Sequence, residues 1–544
     1  MRVLSHRQIP LQPAPAYWLA LGTLPILFLV FFLLAPALRL MLEGQGTFTP
    51  KIITALWQDN YLRWRLLWSL LQAGATCVLV LAIGLPVAWV LARLQFAGRA
   101  LVLRLLMLPF IVPTLVAALG VLALLGPRGL GMAWFGMDLQ DTPWLLLYGN
   151  VFFNLCLLVR AGIDGLTQVS ASRLAAARTL GATPWRAFWR IEWPTARPWL
   201  ASSLCLVFLY CFSGFGLALV LGGQHYATLE VEIYTLVAYE LKLADASVLA
   251  VVGMLVTSSV AMLYTLSEHR LAAPAKSDCV AMRRPVGALE WAMVAAAMTA
   301  LLICCAAPVL AIAARALLAG PTVWAVLLDE STLQALWNTL RFSVAAVALA
   351  TVLGLTHALV AQRSALLRAA AYLPFVVSPV MIAFGLLLLY PQWAATQTLL
   401  ISAYALLAYP FVAKSISAAL DSLPAHQWQV AATLGASPWR CFWRVTLPFI
   451  LPALQRGMAF AAASALGEFA VSLFLSRPEW TTLTTLIYQR LSRPGAANLD
   501  EALVLACLLM VLALLAFLVL EYQPASRKLP CSPVSSVAGN AARA

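Results

Sequence analysis

Apolar runs long enough to cross a bilayer as helices recur from one end of this chain to the other. They lie near 17–40, 66–91, 101–125, 143–162, 198–221 and 247–267, and again near 291–316, 337–360, 369–390, 396–417, 452–475 and 501–521. The pattern predicts twelve transmembrane helices. The runs are continuous rather than alternating, so helices and not the strands of a β-barrel are expected. Arg2 and Arg7 precede the first run, as in a signal peptide. That run is too long and lacks a clear small-residue cleavage site, so it reads as a retained helix.

The polar stretches carry a second pattern. Residues 179–194 read TLGATPWRAFWRIEWP and residues 433–448 read TLGASPWRCFWRVTLP, an offset of 254 with eleven of sixteen positions identical. The repeat extends beyond this loop. LWSLLQAGATCVLVLAIGL at 67–85 parallels LWNTLRFSVAAVALATVLGL at 336–355, with Gly84 falling on Gly354. LPFIVP at 108–113 parallels LPFVVSP at 373–379, and Ile233–Tyr234 parallels Ile487–Tyr488. Six spans per copy give both copies one orientation, a parallel repeat with a substrate path between the halves. The domains expected are a first transmembrane half over 1–267, a cytoplasmic connector over 268–288, a second half over 289–521, and a disordered cytoplasmic tail over 522–544.

The repeated loop has a local grammar. A short helix should end at Gly181, where glycine tolerates the left-handed conformation. Thr183 then takes an N-cap and Pro184 the first position of a second helix. Gly435, Ser437 and Pro438 repeat the sequence of roles. A helix–turn–helix lying on the cytoplasmic face follows, with Trp185, Phe188 and Trp189 as its apolar stripe and Arg186 and Arg190 toward water or headgroups.

Composition narrows the class. The chain is 63% hydrophobic and 10% charged, with net charge +14. With the N-terminus inside, the inner segments hold 24 of the 35 Lys and Arg residues, and 14 of the 21 acidic residues fall outside. That asymmetry favours cytoplasmic termini and explains the basic excess as topology rather than nucleic-acid binding. Ten cysteines without a CxxC pair give no disulfide or zinc framework. The five lysines include none after a glycine, so a phosphate-binding Gly-Lys loop is absent.

The pattern Ala176–Ala177, Gly181, Ile191, Pro194 resembles the EAA loop of ABC-importer permeases. Ala431, Gly435, Val445 and Pro448 match it in the second half, with Val430 in place of one alanine. The resemblance implies the type I importer fold, an all-α integral membrane protein of about twelve helices in two parallel six-helix repeats. It implies that Ala176, Ala177, Leu180, Gly181, Pro184 and Trp185, with Ala431, Leu434, Gly435, Pro438 and Trp439, form the loops that couple to an ATPase. The family's usual glutamate is Ala175 in the first loop and Gln429 in the second, which removes any ion pair it makes. Two copies of an ATPase subunit, which carry the ATP and magnesium, one periplasmic binding protein and the lipid of a bacterial inner membrane are the partners implied. No cofactor is expected on this chain.

A single chain with two fused halves resembles the ferric-iron and thiamine permeases. WQDNY at 57–61, NVFFN at 150–154 and LGGQHYATLEVEIY at 221–234 are similar to the thiamine and thiamine pyrophosphate type. Thiamine is the substrate this implies, with ferric iron as the alternative. Outside the class, an ion-gradient carrier would need buried chains of acidic or histidine residues, and a membrane enzyme would need clustered catalytic groups; the sequence has neither.

Candidate pathway residues are few. Glu468 sits in ALGEFAV inside an apolar run, where the first half has Gly214. It either lines the path of a cation or bonds neighbouring backbone. Tyr210, Phe212, Phe215 and Tyr234 could stack on a ring, although packing explains aromatics in a bundle equally well. Glu230 and Glu232 read as an outer, solvated segment that could meet a binding protein. His357, His225 and His426 share no metal-ligand spacing with other groups, so no metal site is expected.

Overall fold

In the computed structural model, residues 16–43, 59–268 and 280–521 are described, apart from 137, 224, 363, 372, 395 and 476. The described chain is helical, and the helices follow the expected spans with four systematic departures. In the first half the main helices are α1 (Gly22–Glu43), α2 (Asn60–Arg93), α3 (Leu108–Ile111), α4 (Thr114–Leu125), α5 (Pro143–Thr167), α6 (Ala171–Thr179), α7 (Pro184–Phe212), α8 (Phe215–Leu221), α9 (Leu229–Ala238) and α10 (Leu243–Glu268). In the second they are α11 (Gly287–Leu318), α12 (Glu330–Ala361), α13 (Pro379–Leu389), α14 (Gln397–Asp421), α15 (Ala425–Thr433), α16 (Pro438–Leu466), α17 (Ala470–Leu475), α18 (Leu483–Leu491) and α19 (Ala496–Glu521).

The departures are helix breaks that hydropathy does not register. The run 101–125 is interrupted before Pro113, where Val112 is extended (φ −63°, ψ 130°). A proline clashes with a helical residue before it and has no N–H to donate. The equivalent break falls at Ser378–Pro379, where the helical pieces on either side meet at 95°. Ser378 caps α13 by accepting from Met381 N at 3.1 Å. The expected spans 198–221 and 452–475 break in turn at Ser213–Gly214 and at Gly467–Phe469.

The same two spans also begin earlier than expected. The second helix of each repeated loop is not a separate interfacial helix. It runs without interruption into the span through one widened turn, Phe188–Glu192 in the first half and Phe442–Thr446 in the second. The aromatic stripe therefore extends the transmembrane helix, which spans 29 residues in both halves or about 43 Å.

The first helix of each half packs on the other half. Phe31 O of α1 accepts from Tyr390 of the second half at 3.1 Å, and Gly22 of α1 lies against Val360. In α11, Tyr148 donates to Ile303 O at 2.6 Å, and Arg315 donates to Arg128 O at 2.9 Å. Both crossing helices carry a widened turn (Val30–Leu34, Leu302–Ala306) followed by Ala–Pro. A proline in mid-helix excludes the regular hydrogen bond, and the wide turn absorbs the mismatch as a bend.

The connector returns to the first half. Arg283 N donates to Arg93 O at 3.1 Å, and Gln95 N donates to Arg283 O at 2.9 Å. Most of the expected connector, 269–279, and the whole expected tail, 522–544, lie outside the described residues.

Candidate functional site: two repeated turns and a cavity between the halves

The two repeated loops fold alike, down to individual hydrogen bonds. Gly181 has φ +77° and Gly435 φ +79°. Ala182 N reaches back to Ala177 O at 3.0 Å and Gly181 N to Arg178 O at 3.0 Å. Ala436 N reaches Ala431 O at 3.1 Å and Gly435 N reaches Ala432 O at 3.0 Å. This is the paired closure that a left-handed glycine permits at a helix end. Thr183 and Ser437 then cap the next helix by accepting from Arg186 N and Arg440 N, each at 3.4 Å.

The turn projects apolar side chains into solvent. Leu180 is 87% exposed and Leu434 82%; Trp185 and Trp439 are exposed beside them. Pro184 is exposed and Pro438 half-buried at the start of the helix, while Ala176 is exposed. Trp185 and Trp189 hold each other edge to face at 5.6 Å, and Trp439 and Trp443 do so at 5.5 Å. Ala175 and Gln429, where the resemblance expects a glutamate, are exposed. Behind the loops the halves differ. Glu192 is buried and takes two hydrogen bonds from Arg93 and one from Trp89 at 2.9 Å. Its counterpart Thr446 instead accepts from Trp428 at 3.2 Å.

Away from the loops, the four helix breaks surround a cavity of ≈ 230 Å³. Val112–Pro113 and Ser213–Gly214 come from the first half, Ser378–Pro379 and Gly467–Phe469 from the second. Interrupted backbone is tolerated in a bilayer where it lines a cavity instead of facing lipid. Glu468 and Phe215 line this cavity. The Glu468 carboxylate accepts from Val471 N at 3.1 Å, capping α17, and its backbone carbonyl accepts from Ser472 and Thr484 at 3.2 and 3.1 Å. The residue is thus both a wall group and a cap.

Tyr234 is buried and is not among the lining residues. It stands behind Phe215 at 5.4 Å between ring centres. Phe215 stacks across the halves on Phe469 at 5.8 Å, and Phe469 meets Tyr488 at 5.3 Å. Phe469 and Tyr488 are the 254-offset counterparts of Phe215 and Tyr234. The repeat offset alone would have found them. Tyr210 lines the cavity too, whereas Phe212 is buried against Phe208.

One reading from sequence is corrected. Glu230 and Glu232 are not solvated: they are 0% and 4% exposed. Ser378 of the other half donates to Glu230 at 2.6 Å, and Glu232 pairs with Arg65 at 3.3 Å and accepts from Tyr61 at 2.9 Å. A charged pair taken out of water persists only with such partners. His357 is a buried packing residue held by Leu367 O at 2.7 Å and by Tyr409. His426 lies beside the second repeated loop, in a groove with Arg444 and Phe449. Among the described residues no cluster of metal-ligating side chains occurs.

Comparison with known proteins agrees with this architecture. The family described as binding-protein-dependent transport system inner membrane component matches residues 84–273 and 350–523. Both crossing helices lie outside the matched segments. The thiamine transport system permease protein of Escherichia coli (strain K12) is 28% identical, covering 86% of this chain and 90% of its own. That of Salmonella typhimurium (strain LT2) is 27% identical over 96% and 99%. That of Brucella abortus (strain 2308) is 29% identical over 95% and 97%.

Proposed function

The chain belongs to the binding-protein-dependent transport system inner membrane component family, and from that premise we propose that it is the membrane subunit of an ATP-driven importer of thiamine. The observation that carries the substrate is the run of similar proteins named as thiamine permeases, aligned over nearly the whole chain. The cavity chemistry supports it. The thiazolium cation of thiamine matches the Glu468 carboxylate, and the two rings of thiamine match aromatic walls.

The chain acts as a transport subunit and leaves its cargo chemically unchanged. Hydrolysis belongs to two copies of a separate ATPase, one under each coupling turn. Leu180 and Trp185 in one loop, and Leu434 and Trp439 in the other, are the apolar knobs such a partner would cover. Closure of the ATPase pair draws the two turns together. Because each turn continues into a 29-residue helix that ends at the cavity, movement of the turn is delivered to the cavity wall. The halves then exchange access between the two sides of the membrane. A periplasmic binding protein delivers the substrate on the face away from the turns, and the termini are cytoplasmic.

The experiment is uptake of labelled thiamine by vesicles holding this chain with its ATPase and binding protein. ATP-dependent accumulation of thiamine, with none of ferric iron, is expected. Accumulation of iron instead would overturn the substrate.

A further inference from the structure

The segment NVFFN places two asparagines one helical turn apart on α5. Asn150 is 3% exposed and Asn154 1% exposed. Burying a carboxamide in a hydrophobic bundle is unfavourable unless each polar atom finds a partner. Asn150 is provided for: its Nδ2 donates to Gln72 Oε1 at 2.7 Å, and Gln72 in turn donates to Cys211 O at 2.8 Å. Asn154 is provided for on one side only. Its Nδ2 donates to Asn150 O at 2.9 Å and faces Cys211 Sγ at 3.4 Å. Those two acceptors decide which end of the amide is nitrogen. Its Oδ1 has no partner among the described residues, and the same is true of Ser213 Oγ.

Both residues line the cavity that Glu468 lines from the other half. The orphan acceptor on Asn154 calls for an N–H donor, and the hydroxyl of Ser213 can donate to an unprotonated ring nitrogen beside it. Phe110, Phe153 and Tyr210 line the same cavity and offer ring faces. No Lys, Arg or His is among the described residues that line it, so an anionic cargo finds no counter-charge. The cargo class this fits is a cationic heteroaromatic bearing a ring amine.

We propose that Asn154 and Ser213 form a recognition subsite of the first half, where Asn154 Oδ1 accepts from the exocyclic amine of the cargo and Ser213 Oγ donates to the adjacent ring nitrogen. The assignment rests on the thiamine reading, whose pyrimidine carries such an amine. It gives the membrane subunit a selectivity of its own, separate from that of the binding protein.

The test uses the assembled importer in vesicles, supplied with saturating binding protein loaded either with thiamine or with the analogue whose ring amine is replaced by an oxo group. Supplying loaded binding protein removes its own preference from the comparison. The readout is the ratio of the two transport rates, which a smaller amount of folded importer leaves unchanged. An oxo group sets an acceptor against the Asn154 acceptor, so the wild-type chain should favour thiamine. Asn154→Leu should lower the thiamine rate about tenfold, as expected for one lost hydrogen bond in a dry site, with little effect on the oxo analogue. The milder Ser213→Ala should lower the same ratio about threefold. A ratio unaltered by both substitutions, with thiamine still transported, overturns the subsite alone. A wild-type importer that does not move thiamine overturns the substrate reading and the subsite with it.

Discussion

The carbonyl oxygen of Pro308 stands 2.7 Å from where a Cβ on Gly120 would lie. Pro36 O stands 2.9 Å from the same point on Gly385. Gly120 and Gly385 follow the two LPF breaks, and Pro308 and Pro36 follow the widened turns of the crossing helices. Each half thus receives the other half's first helix against a glycine. The two contacts are equivalent, and each packs one half against the other.

Gly120→Ala and Gly385→Ala should each destabilise the protein by about 1–3 kcal/mol, because backbone must move to admit the methyl group. Gly74 supplies the contrast: it lies inside α2 with nothing within 4 Å. Gly74→Ala should be neutral or stabilising by up to about 1 kcal/mol, since alanine favours the helix. Thermal unfolding in detergent compares the three. Equal stability of Gly120→Ala and Gly74→Ala would refute close packing at the crossing.

The two repeated turns depend on backbone conformation rather than on space. A Cβ on Gly181 or Gly435 would meet nothing within 4 Å, yet both have positive φ. Val at either position should therefore misdirect its turn at a cost of about 1–2 kcal/mol, lowering uptake and transport-stimulated ATP hydrolysis together. Asn, which tolerates the left-handed region, should restore most of both. Membrane insertion is checked by fractionation. Normal uptake by the double Val variant would show that the turn is dispensable.

These turns were legible in the sequence because their determinants are local: glycine, a capping hydroxyl and proline within four residues, written twice. The breaks at Ser213–Gly214 and Gly467–Phe469 were hidden, since the chain stays apolar on both sides of them and a hydropathy window averages through. Pro113 and Pro379 were visible signals for the other two breaks. The burial of Glu230 was not readable at all, because its partner Ser378 is 148 residues away. Asn154 showed only as part of a distinctive patch, and its unpaired oxygen emerges from the packing of α2, α5 and α7.

The stack of Phe215 on Phe469 joins equivalent positions across the halves and closes the row from Tyr234 to Tyr488. An aromatic pair of this kind contributes about 0.5–1.5 kcal/mol beyond its buried area. A double-mutant cycle with Phe215→Ala, Phe469→Ala and their combination should return a coupling energy in that range from thermal unfolding. Each single variant should also raise ATP-independent leakage of labelled thiamine from loaded vesicles, since one tie across the path is lost. Additive effects and tight vesicles would rule the stack out as a closure.

Glu468 has two roles that separate by substitution. One carboxylate oxygen caps α17 through Val471 N, and the residue also lines the cavity. Glu468→Gln keeps an acceptor for the cap and removes the charge. Glu468→Ala removes both and leaves the first turn of α17 without its cap, a loss of about 0.5–2 kcal/mol. If the cap dominates, Gln should transport thiamine at close to the wild-type rate and unfold at the wild-type temperature, while Ala should be lower in both. If the charge draws the cation in, Gln should be stable but slow, and the deficit should appear as a rate loss with no change in assembly with the ATPase. The backbone ties from Ser472 and Thr484 to Glu468 O survive in either variant, so the segment keeps its path and the comparison isolates the side chain. The cap geometry favours a stable, active Gln variant and a weakened Ala variant. Wild-type stability and transport in both would remove Glu468 from either role.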